Sequence, residues 1–221
     1  MKLKRRAIPM LAGVLTAVML TSTASAHPFD YWSGRYIGKN NAEILLKIDT
    51  SAQTSLLTWG DVYQYGYDWN GISSNVEVSL ALAGPGTPSL YGAMSVRGEI
   101  RTDGSYGGIN TYDSNGNLMN YNGCADDNWK YAEITMNIDP TIFDKLSNSE
   151  KVIAGRKVFL HEVGHLLKLC HPMQNSSISD HTIHGRPYAV MNQGLPYPKV
   201  LETSPTITQH DKSCLITKWG A

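Results

Sequence analysis

The 221-residue chain balances 19 basic against 19 acidic residues, and four of the basic ones fall within the first six positions, so everything after them is net acidic. That charge excludes nucleic acid and an anionic membrane surface as main partners. Three cysteines, Cys124, Cys170 and Cys214, exclude a small disulfide scaffold, because the 195 residues that follow position 26 can bury a core without staples.

Lys2, Lys4, Arg5 and Arg6 precede an apolar run over 7–20, and small residues ending in Ala26 follow it. This order of charge, apolar stretch and small residues is that of a secretory signal peptide. The apolar run covers 14 residues and contains Pro9, too short for a membrane anchor, which needs about 20. Cleavage is expected after Ala26, leaving 27–221 as one domain, secreted to the extracellular side without a membrane anchor and monomeric. In that oxidising setting one disulfide and one leftover thiol are expected.

In chain order, the first strand spans 43–49, short, apolar and bounded by Asn-rich and Ser-rich turns. A helix is predicted over 55–69, interrupted by Gly60 and Gly66. Val76, Val78, Leu80 and Leu82 alternate with polar or small residues and predict a half-buried strand over 76–83. Further strands are predicted over 94–100, 108–112 and 132–137, with 113–117 (Asp-Ser-Asn-Gly-Asn) as a hairpin turn. The same five residues alternate oxygen ligands as a calcium loop does, but no acidic residue closes the loop, so calcium is possible without being supported. The strongest helix begins at a Ser149 cap and carries apolar residues from Val152 to Leu167. A loop-rich stretch over 172–205 leads to a last helix over 206–219, stopped by Gly220.

The chemistry sits at the end of the long helix. His161 and His165, four residues apart, lie one turn above each other and can share a metal ion from one face. His171 can join them only if the helix stops near Lys168 and the chain turns back. Three neutral imidazoles leave one position open on Zn²⁺, the mark of a catalytic rather than a structural site. Glu162, beside the first ligand, is placed to take the proton of a water there and to pass it to a leaving group. The competing picture has the helix running on through Lys168, which carries His171 away and leaves a two-histidine site.

The eleven residues from His161 to His171 resemble the metzincin signature His-Glu-x-x-His-x-x-Gly-x-x-His, and Tyr188-Ala189-Val190-Met191-Asn192 resembles the family's Met-turn. Within metzincins the C-terminal stretch from Gln209-His210-Asp211 to Trp219-Gly220 is similar to the helix that closes matrixin-like bacterial peptidases. The resemblance implies an α/β fold of the α+β zincin type: a mixed, mostly parallel twisted sheet over a zinc-binding active-site helix, then a small loop-rich C-terminal subdomain ending in a helix. It implies a single catalytic domain over 27–221, one catalytic Zn²⁺ on His161, His165 and His171, Glu162 as general base, and Met191 as an apolar floor under the ligands. It also implies that Asp211 accepts hydrogen bonds from backbone under the Met-turn, and that Pro196-Tyr197 walls a substrate pocket.

The activity so implied is endopeptidase hydrolysis of extended protein or peptide substrates. The alternative is an exported zincin-fold binding protein that has lost catalysis. Its main support is Lys168, which stands where the family has the glycine that permits a left-handed turn. Lys168 is expected to adopt that turn with its side chain in solvent. Cys170 and Cys214 flank the same subdomain and are the expected disulfide, with Cys124 free. His181 and His184, and the acidic pair Asp126 and Asp127, are expected to be solvated surface groups.

Overall fold

A computed structural model of the chain describes residues 31, 34–36, 40–83, 94–119, 128–139, 141, 146–171, 189–191 and 205–221. Residues 1–26, Cys124, Asp126, Asp127, His181, His184, Pro196 and Tyr197 lie outside these residues, so the expectations placed on them concern the sequence alone.

Five strands form one sheet: β1 (Ala42–Asp49), β2 (Val76–Ala83), β3 (Met94–Glu99), β4 (Gly107–Tyr112) and β5 (Tyr131–Asn137), in the order β2-β1-β3-β5-β4. The pairings β1 with β2, β1 with β3 and β3 with β5 are parallel; the edge strand β4 runs antiparallel to β5. Alternation decides the faces. Ala42, Ile44, Leu46 and Ile48 of β1 are buried while Glu43 and Leu45 face out, as the period of two requires. The fold is thus mixed α/β with a mostly parallel sheet, as expected of a zincin type, and two helices complete it: α1 (Asn148–Leu166) and α2 (Gln209–Trp219).

The cap of helix α1 falls two residues before the predicted one. Ser147 is the cap, its hydroxyl accepting from Glu150 N while the Glu150 carboxylate accepts from Ser147 N, a reciprocal box that satisfies two otherwise orphaned donors. One face of α1 buries Phe159, Leu160, Val163 and Leu166, and Trp69 Nε1 donates to the Leu160 carbonyl at 3.2 Å. Helix α2 likewise starts at Gln209 rather than 206, because Thr208 and Asp211 form a second capping box.

The predicted helix over 55–69 is not an α-helix. Turns occupy its first part and a 3-10 segment covers Tyr63–Trp69, packed against α1 and β2. Leu57, Val62, Tyr63, Gly66 and Trp69 are buried, a pattern that tertiary packing satisfies without a regular α-helix. At Gly66 an added Cβ would sit 3.1 Å from Phe159, so this turn lies hard against α1.

The turn at 113–117 forms as predicted. Asp113 accepts from Asn115 N at 2.8 Å, Asn117 N at 2.9 Å and Asn117 Nδ2 at 3.0 Å, so its carboxylate is used by the turn itself. No helix among the described residues is long and apolar enough to cross a membrane.

Candidate metal centre

The end of α1 explains how a third histidine returns. Lys168 N donates to His165 O and Leu169 N to Gly164 O, both at 2.9 Å, the paired bonds of a Schellman turn. That motif needs a left-handed residue after the cap, and Lys168 takes it, with φ +70°, the one positive-φ non-glycine among the described residues. The helix therefore stops, and the two-histidine picture fails. The side chain of Lys168 does not reach solvent as expected. It is fully buried, with its ammonium 2.9 Å from the ring centroid of Trp129. Burial over an aromatic face replaces water with a cation–π contact.

The turn brings His171 Nε2 to 2.9 Å from His161 Nε2 and 3.0 Å from His165 Nε2. The proton positions follow from the outer partners. His161 Nδ1 faces the Val190 carbonyl and His165 Nδ1 the Leu169 carbonyl, each at 2.8 Å. A carbonyl can only accept, so both Nδ1 atoms carry the proton and both Nε2 atoms present bare lone pairs to one point. Such a convergence of lone pairs is repulsive unless a cation sits among them. Around tetrahedral zinc, Zn–N bonds of about 2.0–2.1 Å set imidazole nitrogens about 3.3 Å apart, so the triad is already gathered to that scale. His161, His165 and His171 form a centre for one Zn²⁺, and they are the only such group of three among the described residues.

Electrostatics agree. Burial first, then the charges of His165 and His171, hold His161 well below the usual imidazole range. Burial, with help from His171, pushes His165 down to about 3, and burial, with help from Lys157, pushes His171 down to about 4. Neutral imidazole is the form that binds metal. Glu162, buried on the same helix, is pushed up to about 8 by burial, against the opposing pull of Arg101. A neighbouring divalent cation favours its carboxylate form.

Two glycines let other chain segments close on α1. At Gly107 of β4, a Cβ would meet Val158 Cγ1 at 2.7 Å and Glu162 Oε1 at 3.3 Å, so the sheet edge lies directly against the glutamate. At Gly164 a Cβ would lie 2.2 Å from Met191 Sδ, so the buried Met191 sulfur rests on the helix between the two histidine turns. Asp211 holds that methionine's backbone, accepting from Val190 N at 3.0 Å and Met191 N at 3.3 Å.

Lys157, one turn before His161, was not singled out in the sequence. It is buried, and burial pushes it down to about 8 against the attraction of Asp211. Its i, i+4 spacing to the first ligand was the available signal.

The expected disulfide is absent: Cys170 and Cys214 are separate buried thiols. Cys214 lies one turn after His210 on α2, which turns its sulfur to His210 Nε2, 3.6 Å away.

A mostly parallel sheet over a helix bearing two of three convergent histidines is consistent with a zincin-like fold. No family model matches the sequence, and no curated protein does. Among solved structures, archaemetzincin from Methanopyrus kandleri is similar at 13% identity over 80% of this chain and 95% of that one, with a TM-score of 0.39.

Proposed function

We propose that this protein is an exported zinc-dependent endopeptidase of the metzincin kind, similar to matrixin-like bacterial peptidases in its Met-turn and closing helix. The observation that carries the reading is the meeting of three imidazole nitrogens next to a buried carboxylate, Glu162, on the helix that supplies two of them. Bound there, zinc supplies a Lewis acid that polarises a carbonyl and brings the pKa of a water towards about 7. Glu162 takes the proton and returns it to the leaving amine. The edge strand β4 suits an extended peptide, because main-chain hydrogen bonds accept any sequence in that form and Gly107 offers no side chain beside Glu162.

A binding protein of the same fold would have no use for a buried general base, which favours the catalytic reading. The test is zinc content together with casein cleavage, with and without a chelator. One zinc per chain and chelator-sensitive cleavage are expected; stoichiometric zinc without any cleavage would instead support the binding protein.

A further inference from the structure

Four consecutive residues carry the chain from α1 towards His171, and each is held by a distant part of the molecule. Tyr36 Oη donates to the Leu166 carbonyl, 130 residues later in the chain. Trp219 Nε1 donates to the Leu167 carbonyl at 2.8 Å. Trp129 covers the Lys168 ammonium, and Tyr31 makes an antiparallel backbone bridge with Leu169.

The holders are joined to one another. The Tyr36 ring stacks on Trp219 with centroids 5.8 Å apart and meets Trp129 edge-on at 6.3 Å. Tyr36 also bridges Trp129 through backbone, Arg35 N donates to Asn128 Oδ1 at 2.7 Å, and Lys218 Nζ donates to the Gly34 carbonyl at 2.7 Å. A helix end ordinarily leaves its last carbonyls to water. Here Leu166 and Leu167 have theirs taken by side chains in the interior, immediately before the strained Lys168 and five and four residues before His171.

We infer that the stretch around Tyr31 and Tyr36 is a positioning strap for the third zinc ligand, holding residues 166–169 on the path that delivers His171 to the other two histidines. Tyr36 is its side-chain clamp, and Trp219 of α2, stacked on the Tyr36 ring, is a second clamp on the same turn. The inference rests on the reading of His161, His165 and His171 as the ligand set. With the strap loosened, the left-handed turn is free to relax, His171 spends less time at the metal and the His165 ring loses the Leu169 carbonyl that orients it, while His161, oriented by the Val190 carbonyl, stays in place.

The experiment is zinc affinity by chelator competition on the full chain, well below the unfolding temperature, with the Co²⁺-substituted spectrum as a second readout. Tyr36→Phe keeps the stacked ring and removes only the hydroxyl; Trp219→Phe removes the indole donor. Each should weaken zinc about tenfold, the scale at which the supports of ligands act, and should alter the Co²⁺ spectrum in the direction of His171→Ala. Tyr63→Phe is the matched control. It removes another buried hydroxyl bonded to a backbone carbonyl, that of Ala52, away from residues 166–169, and should leave zinc affinity unchanged. If Tyr36→Phe and Trp219→Phe bind zinc within twofold of wild type with its spectrum, the strap is refuted, although both lower the unfolding temperature. If wild type fails to bind zinc, or His161→Ala binds equally well, the ligand set itself is wrong and the strap falls with it.

Discussion

Lys168→Gly restores the residue that the metzincin signature carries at this position, and the structure predicts that the restoration is harmful. The left-handed conformation at φ +70° costs lysine roughly 1 kcal/mol that glycine would recover. Glycine also enlarges the conformational freedom of the unfolded chain, which takes back up to about 1 kcal/mol. What remains is the buried side chain. Its four methylenes contribute about 3 kcal/mol at ~0.8 each, and the ammonium over Trp129 adds about 2 kcal/mol. Returning the ammonium to water recovers about 3 kcal/mol of its burial cost. The balance is a loss of about 2 kcal/mol, from the same chain of magnitudes. Lys168→Met, which keeps the stem and gives up the charge, should fall within about 1 kcal/mol of wild type. Denaturant unfolding of the metal-free protein measures both. A Lys168→Gly variant as stable as wild type, or more so, would refute the account and return the lysine to solvent.

Glu162→Gln should abolish peptide hydrolysis while zinc stoichiometry, measured by atomic absorption, stays at one per chain; near wild-type turnover would eliminate Glu162 as the base. Gly164→Ala places a methyl 2.2 Å from Met191 Sδ, so unfolding stability should drop by about 1–3 kcal/mol, and Met191→Ala in the same chain should recover part of it. In the chelated protein the three histidines stay neutral while the unfolded chain protonates them below about pH 6.5, so the unfolded state binds more protons and stability falls with pH. Glu162, held protonated up to about 8, opposes this with one proton against three. Unfolding midpoints should therefore decline between about pH 6.5 and 4.5; a flat profile would mean that the triad is not buried neutral.

The gathering of the three histidines was readable from sequence because helical spacing fixes His161, Glu162 and His165 relative to one another, and a return by His171 forces the turn between. Strand β1 was readable for the same reason, its burial following the alternation of its faces, whereas β2 keeps the alternation only over Val76 and Val78, and Leu82, expected on the buried face, is exposed. What failed was non-local. The side chain of Lys168 is placed by Trp129, 39 positions away, and nothing near Lys168 announces an aromatic lid. Residues 55–69 carry enough apolar side chains for a helix, but their shape is set by α1 and β2, against which they pack in turns and 3-10 geometry. Cys170 and Cys214 share a subdomain, but the turn of α2 that aims Cys214 at His210 is invisible to a count of thiols. Tyr36 is one of 12 tyrosines, and its bond across 130 residues has no local signature.

The Trp219 clamp also has a consequence in time. Translation delivers His161, His165 and His171 well before the indole that takes the Leu167 carbonyl, and Asn75 and Ser74 bind the carbonyls of Trp219 and Ala221 only after that. A nascent chain halted between residues 171 and 219 holds all three imidazoles and the glutamate but lacks part of what keeps the turn between them closed. Gathering of the full triad is therefore a late event in the synthesis of the polypeptide.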